Sequence, residues 1–208
     1  MILCDIGNTY FHFFIDGKEE KYSLDSNLPS LDGKVYYISV NEKATTKLKL
    51  FYKENIDLEP YINFDTSYSG MGLDRKMACL GVENAIIVDA GSAITVDIIK
   101  KGKHKGGFIL PGLSSLKKVY PQISQKLSFA FNTKVNLDKI PLCTQDAISY
   151  GIIQSIIEPI KKISKKQEVI FTGGDGEFLS TFIKNSNYKR DLIFNNMRGI
   201  IDANNCIT

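Results

Sequence analysis

The sequence repeats one short pattern, in which an apolar strand ends in Asp-x-Gly and a turn leads into a second strand. The first copy contains Asp5 and Gly7, and the second contains Asp89 and Gly91, 84 residues later. Such a duplication of one supersecondary unit predicts two related halves. We therefore expect an α/β protein of two lobes that are related by internal duplication, with a cleft between them.

The boundary between the two lobes is predicted near residue 69, where Ser69-Gly70-Met71-Gly72 interrupts the pattern and a short helix follows. We place an N-terminal lobe at residues 1–68 and a C-terminal lobe, which includes a substrate-binding helix region, at residues 69–208. A chain of 208 residues is long enough for two lobes of about 100 residues each.

Composition excludes several classes of protein. With 43% hydrophobic and 24% charged residues the chain is an ordinary globular one, and its net charge of +3 gives no reason to expect a nucleic acid or a membrane as partner. No run approaches the ~20 apolar residues of a membrane span, and no secretory leader is recognisable. We expect a reduced, cytoplasmic protein without disulfides or a zinc site, because the cysteines are isolated at Cys4, Cys79, Cys143 and Cys206.

Hydrophobic periodicity predicts most of the regular elements. Strands are expected at 2–6, 10–15, 35–39, 85–88, 94–98 and 169–171, and helices at 42–52, 73–80, from 144 onward and at 197–204. Thr144 is expected to be the N-cap of the longest helix, and Pro159 to kink it. The aromatic side chains of the second strand are expected in the core.

The segment Asp5-Ile6-Gly7-Asn8-Thr9 places a carboxylate at a strand end, followed by a glycine turn and a hydroxyl. Successive N–H groups of such a turn can bind phosphate oxygens, and Asp5 could hold Mg²⁺, directly or through water. An ordinary hairpin turn explains the same residues. The second copy, around Asp89 and Ser92, strengthens the first interpretation, since a carboxylate after four apolar residues is costly to bury without a cation or donors.

Two further motifs have both a chemical and a structural interpretation. Asp74 could accept a proton from a hydroxyl and Arg75 could bind a carboxylate, or the two could be a helix-end acid and a surface ion pair. Gly173 and Gly174 could let a flat base approach the backbone, or could form a strand-to-helix turn. Neither histidine has a metal-ligand partner by spacing, and no P-loop or Rossmann glycine fingerprint is present.

Five blocks of the sequence together resemble the type III pantothenate kinases, of the acetate and sugar kinase/Hsp70/actin superfamily. They are Asp5 to Thr9, Gly72-x-Asp74-Arg75, Asp89-x-Gly91-Ser92-Ala93-x-Thr95-x-Asp97, Gly106-Gly107-Phe108-Ile109-x-Pro111-Gly112 and Thr172-Gly173-Gly174. The resemblance implies two ribonuclease H-like, actin-like ATPase lobes. It also implies ATP-dependent phosphorylation of pantothenate, the first step towards coenzyme A.

The resemblance assigns roles on the nucleotide side. It implies ATP contacts from Asp5, Ile6, Gly7, Asn8, Thr9, Tyr10, Phe11, His12, Ser92, Gly173 and Gly174. Asp5 would hold Mg²⁺, and Asp89 would bind a monovalent cation, K⁺ or NH₄⁺. Ser92 stands where the family usually has threonine, so it keeps the hydroxyl and loses a methyl group.

On the acceptor side the resemblance implies that Asp74 is the general base. Pantothenate would contact Tyr68, Gly72, Leu73, Asp74, Arg75 and Thr144, and the protein would be a homodimer with this site near the interface. Three alternatives stay open: a nucleotide-binding transcriptional accessory protein without turnover, a kinase for another small alcohol, and a ribonuclease H-like nuclease that uses Asp5 and Asp89 on two metals.

Overall fold

A computed structural model describes residues 1–204, so Cys206 lies outside the described part. The chain forms two compact units. The first contains Met1–Gly81 together with the segment from Asp191 onward, and the second contains Val82–Arg190. Along residues 1–204, no helix has both the length and the apolar character that crossing a membrane requires.

Residues 1–204 form ten strands and six α-helices, with short 3₁₀ turns at Glu59–Tyr61 and Gln125–Leu127. In chain order they are β1 (Ile2–Ile6), β2 (Tyr10–Ile15), β3 (Lys18–Ser23), β4 (Val35–Ser39), α1 (Glu42–Phe51), β5 (Asn55–Asp57), α2 (Leu73–Cys79), β6 (Asn84–Ala90), β7 (Ala93–Lys100), β8 (Lys103–Pro111), α3 (Leu113–Ile123), α4 (Thr144–Ser164), β9 (Val169–Thr172), α5 (Gly176–Ser180), β10 (Ser186–Tyr188) and α6 (Leu192–Ala203).

The two sheets have the same topology. The first has the order β3-β2-β1-β4-β5 and the second the order β10-β9-β6-β7-β8. In each, a central strand pairs antiparallel with the next strand in sequence, and parallel with a strand that follows later in the chain. Counted from their central strands β1 and β6, both sheets therefore read 3-2-1-4-5. The predicted internal duplication is confirmed at the level of strand order.

The core of the first unit covers both faces of its sheet. One cluster includes Cys4, Ile6, Phe11 and Phe13 with α1, and the other includes Leu3 and Phe14 with α2 and α6. Phe11, Phe13 and Phe14 are buried, as the sequence predicted, but the prediction is wrong for Tyr10, which is 41% exposed at the start of β2. Helix α1 begins where the Asn41 side chain accepts a hydrogen bond from Ala44 N at 3.0 Å.

Helix α6 completes the first unit although it ends the described chain. Phe194 stacks on Phe14 with ring centroids 4.9 Å apart, and the Asn196 amide donates to the Met77 carbonyl at 2.7 Å. The structure thus divides the chain after Gly81 and again before Asp191, whereas the sequence suggested one boundary at residues 68/69. The physical reason is that α2 and α6 bury their apolar faces against β1 and each other.

The second unit is built on α4, which packs along one face of its sheet. Ile153, Ile156, Ile157 and Ile160 are each 0% exposed. Helix α4 runs from Thr144 to Ser164 and includes Pro159. Cys143, not Thr144, is its N-cap residue, and no side chain caps it, so the predicted role of Thr144 as N-cap is wrong.

We predict that Phe194→Ala lowers the free energy of unfolding by about 3 kcal/mol, because it removes a buried ring and leaves a cavity. The melting temperature, measured by circular dichroism, should fall by roughly 6 °C or more. Phe129→Ala is the matched control, since Phe129 is 50% exposed. An equal loss in both variants would contradict the importance of α6 for the first unit.

Candidate active site

The turn between β1 and β2 presents polar groups at its tip. Gly7 N donates a hydrogen bond to Tyr10 O at 3.0 Å and closes the turn. Asn8, Thr9 and Tyr10 are exposed. Ile6 and Phe11 are both 0% exposed. Of the predicted ATP contacts in this segment, these two can therefore contribute only through their backbone groups.

Asp5 lies on β1 beside this turn and is paired with His12 across the antiparallel ladder. Burial raises the pKa of Asp5 to about 6, with the charge of His12 opposing the shift and the charges of Asp74 and Glu19 adding to it. The structure thus brings two predicted functional carboxylates, Asp5 and Asp74, into electrostatic contact. Such a pair fits a divalent cation, which would remove the repulsion and favour both ionised forms.

Glu19 is a member of this group that the sequence reasoning missed. Its carboxylate lies 2.7 Å from His12 Nδ1 and 3.5 Å from Lys21 Nζ. The hydrogen bond with His12 is the main reason that the pKa of Glu19 is lowered. Strand β3, which carries Glu19, has the sequence KEEKYS and no apolar alternation, so only its position as a hairpin partner of β2 could have revealed it.

Helix α2 positions the second pair of predicted residues. Its N-cap is Gly72, and a Cβ there would lie 2.5 Å from Asp74 Oδ1. Any other residue at this position would therefore displace the Asp74 carboxylate. The same oxygen accepts a hydrogen bond from Arg75 N at 2.8 Å. The predicted site residue Leu73 packs in the core with its side chain and can offer a ligand only its backbone.

Arg75 is buried, with 5% of its surface exposed. Its guanidinium carbon lies 4.7 Å from the centre of the Tyr68 ring, in a cation–π contact. This burial excludes the surface ion pair that the sequence left open for Arg75. A buried guanidinium held against an aromatic ring is a rigid donor for a carboxylate.

The second unit brings together the motifs around Asp89 and Gly173. Gly173 has φ +82°, and a Cβ there would collide with Asp89 Oδ1 and the Ala90 backbone. Asp175 N donates to Ala90 O at 3.0 Å, and Gly112 N donates to Ser92 O at 3.1 Å. Glycine is therefore needed where this loop crosses the end of β6. The carboxylate of Asp89 lies among backbone carbonyls and glycines, an oxygen-rich setting that fits a cation.

The remaining predicted residues are solvent-accessible, since Ser92, Gly174 and Thr144 are exposed. His104 lies in the interior of the second unit, where its Nε2 pairs with Asp97 Oδ1 at 2.9 Å. Among residues 1–204, no three His, Cys, Asp or Glu side chains are grouped so that they could hold a metal ion. Any cation at Asp5 or Asp89 must therefore complete its shell with water, backbone or substrate oxygens.

Known proteins resemble this chain over nearly its whole length. The family model for type III pantothenate kinase matches residues 23–166. A type III pantothenate kinase of Campylobacter jejuni strain RM1221 is 46% identical over 98% of both chains. A solved structure from Campylobacter jejuni, described as a candidate Baf family transcriptional activator, is 44% identical, covers 99% of both chains and has a TM-score of 0.89.

A candidate 2-dehydro-3-deoxygalactonokinase from Sinorhizobium meliloti has a TM-score of 0.60 at 8% identity, over 97% of this chain and 98% of its own. At such low identity the likeness shows the fold alone, and it confirms the predicted sugar kinase-like fold. The match of the family model and the relatives above 40% identity settle the family. This chain belongs to the type III pantothenate kinase family.

Proposed function

We propose that this protein transfers the γ-phosphoryl group of ATP to the primary hydroxyl of pantothenate, giving 4'-phosphopantothenate in the first step of coenzyme A biosynthesis. The observation that carries the proposal is the start of α2, where the buried Arg75 rests on Tyr68 directly beside Asp74. Pantothenate has a carboxylate for the guanidinium and a hydroxyl for the carboxylate. The family membership supports the same assignment.

Asp74 acts as the general base in this proposal. As the acceptor hydroxyl oxygen bonds to the γ-phosphorus, the bond to the ADP oxygen breaks and the hydroxyl proton passes to the Asp74 carboxylate. The hydrogen bond from Arg75 N at 2.8 Å fixes the orientation of the Asp74 carboxylate. Arg75 binds the substrate carboxylate, and Tyr68, Gly72, the backbone of Leu73 and Thr144 complete the acceptor site.

The turn from Asp5 to His12 binds the phosphate groups of ATP through the N–H groups and hydroxyl at its exposed tip. Asp5 holds Mg²⁺, directly or through water. The ion supplies positive charge where negative charge accumulates on the transferring phosphoryl group. The raised pKa of Asp5 supports this role, because a cation there compensates the cost of an ionised, buried carboxylate.

The loops of the second unit serve the rest of the nucleotide and a monovalent cation. Asp89 binds K⁺ or NH₄⁺, the hydroxyl of Ser92 contacts ATP, and Gly173 and Gly174 line the adenosine. The exposure of Gly174 supports this assignment, since a flat ligand can approach a glycine backbone closely.

The protein acts as a homodimer in the cytoplasm, with the acceptor site near the dimer interface. Exposed apolar side chains of the second unit support the dimer, and we call Val119, Ile123, Phe129, Ile140 and Leu142 its apolar surface. Leu142 is fully exposed and stands two residues before Thr144. Coverage of this surface by a second copy would bring the interface next to a proposed substrate contact.

A second candidate function is that of a transcriptional accessory protein without turnover. The description of the Campylobacter jejuni structure as a candidate Baf family transcriptional activator favours it. In such a protein neither Asp74 nor Arg75 would take part in a reaction. An assay of pantothenate phosphorylation distinguishes the two functions directly.

We predict that the purified protein phosphorylates pantothenate with ATP and Mg²⁺, faster in K⁺ than in Na⁺. Asp74→Asn should lower kcat/KM for pantothenate at least ~100-fold, with little change in KM for ATP, because only proton transfer and acceptor alignment are lost. The measurement is a coupled ADP-release assay. Asp32→Asn, at an exposed position of the first unit, is the control. Absence of turnover in folded wild-type protein, with any of several small alcohols, would favour the accessory function.

We predict that Asp5→Asn makes the ligand-free protein more stable at pH 8, by at least about 2 °C in melting temperature. The pKa of Asp5 is raised to about 6 in the fold, above the ordinary value of about 3.9. Stabilisation from its bound proton is therefore present at low pH and is lost as the pH rises from about 4 to above 6. The difference between variant and wild type should accordingly shrink towards pH 5.

Addition of Mg²⁺ with ATP should raise the melting temperature of the wild type and of Asp32→Asn, and not that of Asp5→Asn. A variant that is less stable than wild type at pH 8, or that responds to Mg²⁺ and ATP like the wild type, would show that Asp5 has a structural role.

We predict that Leu142→Asp converts the dimer to a monomer, because it places a charge in the apolar surface of the second unit. Light scattering after size-exclusion chromatography should show the mass halved. Leu50→Asp is the control, since Leu50 is 81% exposed on α1 of the first unit. A monomeric wild type, or a dimer that survives in Leu142→Asp, would refute this interface.

A further inference from the structure

The hairpin of β7 and β8 gathers lysines around a groove in the second unit. A volume of about 570 Å³ is lined by Asn84, Gln167 and the four lysines Lys100, Lys101, Lys103 and Lys105. Asn84 begins β6, and Asp89 lies five residues further along the same strand, about 17 Å away at the rise of an extended chain. The groove is thus at the opposite end of the central strand from the proposed nucleotide loops.

The positive charge of this groove is not neutralised locally. All four lysines are exposed, and within residues 1–204 no ion pair joins any of their amines to a carboxylate. The acidic neighbours are Glu83, whose carboxylate lies beside the turn at Gly102, and Glu168, which precedes β9. The cations therefore outnumber the nearby anions by two to one, and a cavity lined by one sign of charge concentrates ions of the other.

Two of these lysine positions would favour other residue types on grounds of local stability. Lys100 and Lys103 are directly opposite each other in the ladder, an arrangement in which like charges repel. Lys101 has φ 52° and Gly102 has φ 67°, so the turn requires a left-handed residue at the lysine, where Asn is preferred. Neither the ladder pairing of Lys100 with Lys103 nor the turn at Lys101 favours lysine.

The hairpin is also held rigidly. Lys101 N donates to Asn84 Oδ1 at 2.9 Å, Gly102 N donates to Glu83 O at 2.9 Å, and the Gln167 amide donates to Ile99 O at 2.7 Å. His104 is fixed inward by its bond with the buried Asp97. Lys103 and Lys105 flank this histidine on β8, and both line the groove. Their amines are thus presented together on a preformed surface.

We propose that this groove binds a small anion that carries two or more closely spaced phosphate groups. Lysine amines act as mobile point charges that suit phosphate oxygens, and several of them within one groove suit a chain of phosphates better than a single one. The volume lies in the range of small-molecule sites. A nucleic acid would instead need a positive surface that extends well beyond one hairpin.

Tripolyphosphate is the probe that tests this proposal, with lysine acetylation followed by mass spectrometry as the readout. Because the readout is assigned to individual residues, binding at the nucleotide loops does not interfere. Tripolyphosphate should slow the acetylation of Lys100, Lys101, Lys103 and Lys105 at least about fivefold, and leave the exposed Lys118 and Lys139 unchanged. Equal effects on both groups, or no protection of the groove, would overturn the proposal.

A double variant, Lys101→Asn with Lys103→Thr, separates ligand binding from folding. It relieves the strained turn and the lysine repulsion, so its melting temperature should equal or exceed that of the wild type. Half-protection of Lys100 and Lys105 should need at least about tenfold more tripolyphosphate, whereas Lys118→Gln with Lys139→Gln should behave as the wild type. Unchanged protection in the double variant would refute the site. A uridine dodecamer that protects these lysines at lower concentration than tripolyphosphate would also overturn it, in favour of nucleic acid.

Discussion

The placement of a carboxylate near the end of the central strand of each sheet is the constraint on which the site depends. Asp5 is on β1 and Asp89 is on β6, and each is followed by a glycine turn into an antiparallel strand. Burial works against the ionised form of Asp5, and the nearby Asp74 adds repulsion. Two glycines leave space for neighbouring carboxylates. Gly72 leaves space for Asp74, and Gly173 leaves space for Asp89. The first sheet is thus arranged around a carboxylate whose ionised form is disfavoured by burial.

The parts of the fold that could be predicted are those with a local apolar signal. Strands β1, β2, β6 and β7 either alternate between apolar and other residues or contain a continuous apolar run. The repetition of this pattern revealed the duplication. Strand β3 escaped prediction because an exposed edge strand needs no apolar residues, and β5 and β10 have only three residues each. The division of the chain could not be predicted either. It depends on contacts such as Phe14 with Phe194, 180 residues apart, which no local window contains.

The candidate site shows the same limit at the level of side chains. Motifs identified Asp5, Asp74 and Arg75, because the chemistry is carried by residue types at fixed spacing. They could not reveal that Arg75 is buried against Tyr68, or that Glu19 bonds to His12, since both facts come from tertiary packing. They also could not separate side-chain roles from backbone roles at Ile6, Phe11 and Leu73, whose side chains belong to the core. Spacing identifies which atoms are available, and packing decides where they face.

The return of α6 to the first unit has a consequence for synthesis on the ribosome. The second unit is a contiguous stretch, Val82–Arg190, and all of its core residues have been translated before α6 exists. The first unit precedes the second in sequence, yet Phe14, Tyr36 and Met77 lack the helix that covers them until α6 emerges. During translation the second unit can therefore be completed before the first, whose apolar face stays open until α6 has been made.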